Sequence, residues 1–186
     1  HHIARPADLA TPDSLTEAVL EHAFAEMERE AGQQIDTVVL VFANAPAIDV
    51  DLIREGIAKI EADDTFDSAF SVVNYNMFSP ARARRIQDDG SIEPFVDLSL
   101  MDNVSSIRDS QGDTYFCDLS VQVLKRRCFT HMDEGMQPFK WMGRKAYALR
   151  NDYGFDADAE WQVLVLEHWL RERGFSDADA AQAVPA

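Results

Sequence analysis

Asp156 and Asp158 stand one residue apart in Gly154-Phe155-Asp156-Ala157-Asp158-Ala159-Glu160-Trp161-Gln162, where an extended run gives way to an apolar-periodic helix. Side chains at i and i+2 of an extended backbone point to the same side. The pair could therefore hold a magnesium ion whose other ligands are phosphate oxygens and water. The same spacing recurs at Asp49/Asp51 and Asp177/Asp179, so spacing alone does not choose among them. The competing reading is two solvated acids at a helix entry, where the helix dipole favours negative charge. Basic residues are scarce and gather in two places, Arg82/Arg84/Arg85 and Lys125/Arg126/Arg127. Either cluster could collect phosphate or carboxylate groups, although solubility is the commoner reason for such clusters. Arg82 follows an apolar run ending near Asn74, which places both at the carboxyl end of a strand, where open α/β sheets bind ligands. The five histidines form no metal set: His22 and His168 lack an i+4 partner and His131 lies in a polar loop. No spacing suggests a nucleophilic hydrolase.

The elements that would carry these residues follow from apolar periodicity. Ser14-Leu15-Thr16-Glu17 has the form of a capping box, and Leu15, Val19, Phe24 and Met27 then recur with helical spacing as far as Glu30. Thr37 to Phe42 is a compact β-branched and apolar run, as in a strand covered on both faces of a parallel sheet, stopped by Pro46. Val50 to Ile60 reads as a second helix and Asp67 to Val73 as a second strand, giving the alternation of an α/β protein. From Asn74 to Gln111 the pattern breaks at Pro80, Gly90 and Pro94 into hairpins and loops. Thr114 to Cys117 and Val121 to Leu124 are strand-like. Trp161 to Arg173 is a closing helix with apolar Trp161, Leu164, Val165 and Trp169, and residues 176 to 186 form an Ala/Asp-rich tail.

A chain of 186 residues with 46% hydrophobic content is expected to form one domain burying about 70% of its unfolded surface. Thirty-three acidic against seventeen basic residues, a net charge of −16, argue against general affinity for nucleic acid or anionic membrane. No stretch approaches 18 apolar residues and no basic-then-apolar leader opens the sequence, so the expectation is a cytoplasmic protein with neither membrane span nor signal peptide. Cys117 and Cys128 lack metal spacing and are expected to be reduced and partly buried.

Several pieces, taken in order, resemble one family: the cytidylyltransferases that activate sialic acid, Kdo and related 3-deoxy-2-ulosonic acids. Arg5-Pro6-Ala7-Asp8-Leu9-Ala10 is similar to the family's Arg-Pro-x-x-Leu-Ala element. Val38 to Pro46 occupies the place of its LLQPTSP segment, and Asp67-Ser68-Ala69-Phe70-Ser71-Val72 resembles the strand DSxxSV. Ser106-Ile107-Arg108-Asp109 sits where the family has an Arg-Gln element. Tyr115 to Val123 resembles the strand pair around its Asn-Gly-x-Ile-Tyr turn, and Asp156-Ala157-Asp158-Ala159-Glu160 fits DIDTxxD.

The resemblance implies a Rossmann-like α/β nucleotidyltransferase, one domain over residues 1–175 with a mostly parallel central sheet and helices on its flanks. A hairpin-rich insertion at about 76–127 would mediate a homodimer. It implies that CTP and a sugar acid react to give a CMP-sugar and pyrophosphate with Mg2+ held by Asp156 and Asp158. Asp158 and Arg108 would be catalytic. Arg108, whose guanidinium fork matches a planar carboxylate, would clamp the sugar acid in cis or in trans; otherwise it is an ordinary surface ion pair with Asp109 or Asp113. Asn44, Asn74 and Arg82 complete the implied substrate contacts. Phe42 stands where the family's base-reading glutamine falls, and Asp109 replaces the glutamine after the arginine. The family's opening strand and Gly-rich, Lys/Arg-bearing CTP loop have no counterpart in these 186 residues. The expectation is thus a truncated or naturally short relative, with a non-catalytic homologue that binds a sugar acid or a partner chain as the alternative.

Overall fold

The computed structural model describes residues 2–107 and 109–176. Leu20, Phe24 and Met27 lie along one face of a helix, Thr16–Ala31 (α1), and pack on a core built around Phe70, Leu124, Phe129 and Trp141. The helix ends at Gly32, whose φ of 64° is a conformation glycine adopts without strain. Its start differs from expectation. Leu15 occupies the N-cap without a side-chain bond, because the Ser14 hydroxyl, one residue too early, is engaged with Thr11 and the Asp8 carbonyl. The second helix, Val50–Ala62 (α2), is capped by Asp49, which accepts the Asp51 N–H at 2.7 Å.

Four strands form the main sheet: Thr37–Leu40 (β1), Ser68–Asn74 (β2), Tyr115–Lys125 (β5) and Ala146–Arg150 (β6), in the spatial order β1-β5-β2-β6. The chain is mixed α/β, but the expected mostly parallel sheet is corrected. β5 pairs antiparallel with both β1 and β2, and only β2 and β6 pair in parallel. The reason lies in the excursion between β2 and β5. It leaves and returns at the same sheet end, where the Tyr75 N–H donates to Thr114 O at 3.0 Å and the Thr114 N–H to Asn76 Oδ1 at 2.8 Å. A chain that returns where it left, with no crossover helix, must run back antiparallel. β1, β2 and β6 consequently share one direction, and β5 alone is reversed.

The two strand-like runs at 114–117 and 121–124 are parts of the single strand β5. Leu119, at φ 59°, breaks its alternation, and the pairing with β2 slips between Phe70 and Val72, as at a β-bulge. The expected insertion accordingly ends near Thr114 instead of 127. It contains a short hairpin, Arg84–Ile86 (β3) with Ile92–Pro94 (β4), whose residues are all exposed.

The sheet is covered on both faces. Phe70, Leu124 and Trp141 face α1 and a short helix Arg127–Thr130 (α3), while Ala69, Val121, Val123 and Leu149 face α2. Full burial of a side chain the size of Phe70 contributes about 1.5–3 kcal/mol. The last helix, Glu160–Glu172 (α4), buries Leu166 and Trp169 against Ala47. Trp169 is buried as periodicity leads one to expect, but the other three expected residues are corrected: Trp161 and Leu164 are 59% and 66% exposed and Val165 is also exposed. Among the described residues, no helix is long and apolar enough to cross a membrane. Both cysteines are free thiols, and burial pushes that of Cys128 up to about 12.

Candidate functional site

Because β1, β2 and β6 point the same way, the loops that follow them emerge together at their carboxyl ends, the usual ligand position of open α/β sheets. The loop after β1 is held by the Ala45 N–H to Phe42 O bond and carries Asn44 outward, while Ala45 and Ala47 are buried. The loop after β6 runs from Asn151 to Ala159. It crosses the first loop through a backbone bond from the Ala157 N–H to Asn44 O of 2.7 Å. The loop after β2 begins at Tyr75, whose hydroxyl donates to Gly154 O at 3.2 Å. Three segments far apart in sequence are thus tied into one surface.

Asn44 and the Asp156–Asp158 pair share that surface, with Ala157 as the link. The backbone there is irregular, not a strand. Gln162 reaches back from α4, and its Oε1 accepts the N–H groups of Asp158 at 2.8 Å and Ala159 at 2.6 Å, which fixes the helix entry. Neither aspartate side chain has a hydrogen bond or ion pair among the described residues. Nor does any third His, Cys, Asp or Glu complete a metal-holding group with them among those residues. Two free carboxylates suit a hard cation that draws its remaining oxygens from substrate and water.

Asn74 and Arg82 line one cavity of about 400 Å³, together with Asn76, Met77 and Asp109. Arg82 also borders a neighbouring cavity of about 370 Å³ with Ser105, Ser106 and Gln111, and its side chain has no ion pair or hydrogen bond among the described residues. Close by, hydrogen bonds from Asn76 and Asn74 hold the Asp113 carboxyl below its usual range. Arg108 lies outside the described residues. Phe42, in the place of a base-reading side chain, is turned into the α1-side core.

Several contacts at this end join residues that the sequence does not mark as a site. Tyr75, Phe78 and Phe116 form a ring cluster with centroids 5.9 to 6.5 Å apart, and burial raises the Tyr75 phenol. Arg173 ties α4 to both neighbouring loops, donating to Asp49 and Asp152 at 2.9 Å each. Bonds from the Asp51 N–H and Arg173 keep the Asp49 carboxyl low. Buried Asp118 and Asn151 meet beneath Gly154. None of these has a periodic signature; Phe116, Arg173, Asp118 and Asn151 are each defined by partners at least 21 residues away.

The second basic cluster lies at the opposite end of the sheet. Lys125 pairs with Asp64 at 2.7 Å, Arg126 with Glu28, and Arg127 with Asp67 and Asp64. A cavity of about 460 Å³ there is lined by Arg127, Arg144, Lys145, Asp64, Asp67 and Glu134 among others. Arg127 and Arg144 are already matched by acids, and the Lys145 ammonium donates to the Thr65 hydroxyl, so that end of the sheet carries little capacity for an anion. No protein-family model matches this chain, and no curated protein matches it.

Proposed function

We propose that this chain belongs to a cytidylyltransferase that activates a 3-deoxy-2-ulosonic, sialic-acid-like sugar with CTP, giving a CMP-sugar and pyrophosphate. One observation carries the reading: segments that resemble separate motifs of that family, at 38–46 and 156–160, are bonded to each other at Ala157 and Asn44. A third, at Asp67 to Val72, leads along β2 to the cavity that holds Asn74 and Arg82. Left-handed Leu119 falls within the segment resembling the family's Asn-Gly-x-Ile-Tyr turn, a conformation in which glycine is at ease.

In this reading the 2-hydroxyl of the sugar acid attacks the α-phosphorus of CTP and pyrophosphate leaves. Asp156 and Asp158 would hold Mg2+, which offsets charge on the attacking and leaving oxygens when bound. Asp158, the more exposed of the two, would also take up the proton of the sugar hydroxyl. Arg82, with its free guanidinium, orients the sugar carboxylate through two parallel hydrogen bonds, and Asn74 and Asn76 offer amides to its hydroxyls. Arg108 retains the clamp role implied by the resemblance, and Asn44 a polar contact to the nucleotide. The reading also includes a homodimer formed through the 76–114 excursion. A two-stranded hairpin is not stable alone, and Ile86, Ile92, Phe95 and Leu100 lie exposed upon it.

A second reading, a non-catalytic relative that binds a sugar acid, is favoured by the scarcity of free cations. Arg173 is already held by Asp49 and Asp152, whereas a triphosphate needs several positive groups. Isothermal titration separates the two. Magnesium-dependent CTP affinity together with pyrophosphate release supports the transferase. Sugar-acid binding without CTP binding supports the relative, and binding of neither ends both readings.

A further inference from the structure

The three loops converge over one side chain that no sequence pattern marks. Asp118, 2% exposed, sits on β5 beside left-handed Leu119. Its Oδ2 accepts the Asn151 side-chain amide at 2.7 Å, and the same amide nitrogen donates to Ala47 O at 3.1 Å. Gly154 passes so closely that a Cβ there would lie 1.8 Å from Asp118 Oδ2, while the Tyr75 hydroxyl holds the Gly154 carbonyl. One buried carboxyl group therefore touches, directly or through one partner, the loops after β1, β2 and β6.

For stability alone such a group is a poor choice. Burial disfavours its charge, and a single neutral donor compensates only in part. Its Oδ1 and the nearby Ser120 hydroxyl are buried without a hydrogen-bond partner among the described residues. The adjacent Ser71 hydroxyl accepts the Val121 N–H at 2.9 Å, and only its single proton remains to face the carboxyl. What the carboxyl does supply is geometry. It gives Asn151 a fixed acceptor, so that amide can span to Ala47, and it forms the floor on which Gly154 rests.

We propose that Asp118 is the positioning residue of the candidate site, holding the loop that bears Asp156 and Asp158 against the loop that bears Asn44 by fixing Asn151 and the backbone of Gly154. The inference rests on the proposed function for what the loops bind, but not for the geometry. Asp118→Ala removes the acceptor and opens a void below Gly154, so the Ala157 N–H to Asn44 O bond loosens. Asp118→Asn keeps both the volume and an oxygen for Asn151, and restores it.

The test is amide-resolved hydrogen exchange on the full chain and on both variants, with a CTP titration in magnesium alongside. In Asp118→Ala the Ala157 amide loses protection about tenfold, the scale of one lost hydrogen bond, relative to Val123 in the sheet centre, and Asp118→Asn recovers it. Unchanged Ala157 protection overturns the proposal. So does a loss that merely tracks Val123, or an asparagine variant as open as the alanine one. If Asp118→Ala does not fold, Asn151→Ala cuts the same link from the other side and is read in the same way. The CTP arm separates the two ideas. Opening of Ala157 in a chain that never binds CTP supports the positioning role and refutes the nucleotide reading. CTP affinity that falls in Asp118→Ala and returns in Asp118→Asn supports both.

Discussion

Gly154→Ala asks for the least change in chemistry and the largest response in the site. The new Cβ would stand 1.8 Å from Asp118 Oδ2, 2.7 Å from its Cγ and 2.9 Å from its Cβ, against roughly 3.5 Å for an unstrained non-bonded contact. The backbone of Gly154 is not in the left-handed region, so alanine carries no conformational penalty and the whole effect is steric. Two relaxations are open. The loop can lift, which breaks the Tyr75 hydroxyl bond to Gly154 O and pulls Ala157 from Asn44, or Asp118 can rotate and lose the Asn151 amide. Overpacking of this kind costs about 1–3 kcal/mol, and a lost buried hydrogen bond adds about 1–2 kcal/mol. We expect a destabilisation of about 2–5 kcal/mol. Urea unfolding of wild type, Gly154→Ala, Asp118→Ala and the double variant reads it as a double-mutant cycle. The coupling energy should exceed about 1.5 kcal/mol, because truncating Asp118 to alanine removes Oδ2 and Cγ, the two atoms nearest the new methyl, and leaves only the Cβ at 2.9 Å. A Gly154→Ala loss below about 0.5 kcal/mol, or a full loss that persists without the Asp118 side chain, would refute the packing argument.

Other expectations follow from the same geometry. Burial raises the folded-state pKa of Asp118 despite the bond from the Asn151 amide. The folded chain therefore binds that proton more tightly than the unfolded one, and stability is lost as pH climbs from the unfolded value of about 4. Asp118→Asn lacks this loss. Its urea midpoint should gain on wild type between pH 4 and 7.5, and an advantage that stays constant with pH would count against a buried titrating acid. Arg82→Ala should weaken sugar-acid binding about tenfold or more in calorimetry with no shift in the urea midpoint, since Arg82 has no partner to leave behind; an unaltered sugar affinity removes Arg82 from the site. Asp158→Asn should abolish the magnesium-dependent part of CTP affinity and leave the metal-independent part intact, and identical magnesium dependence in both chains would exclude it as a ligand.

Much of the scaffold was legible before any coordinates. The α1 core face through Phe24 and Met27, the extent of α2 and the apolar runs at β1 and β2 all follow from periodicity, which reports burial directly. Strand direction did not. The Val121–Leu124 run shows only that both sheet faces are covered, which holds for a reversed strand as much as for a parallel one, and the equally apolar Val38–Leu40 run leaves Val39 exposed at the sheet edge. The sequence did hold a clue: no run between β2 and β5 has the length and periodicity of an α-helix, and parallel neighbours require a crossover. On α4, Trp161, Leu164 and Val165 satisfied the helical period beside Trp169 as well as Leu166 does, yet only Leu166 and Trp169 are buried. Periodicity finds an apolar stripe, but it does not say which of two stripes meets a neighbour.

For the site, residue type and order marked Asn44, Asn74, Arg82 and the Asp156–Asp158 pair as polar groups at the ends of predicted elements. Local spacing could do that much, because side-chain chemistry and strand ends are properties of short segments. That Asn44 lies against Ala157, that Asn74 and Arg82 share a cavity, and that Asp118 and Asn151 sit beneath Gly154 were decided by tertiary structure alone. The Asp118–Asn151 and Asn44–Ala157 bonds join residues 33 and 113 positions apart, and their free energies depend on burial and on orientation fixed by the sheet. Neither quantity is a property of a segment read by itself.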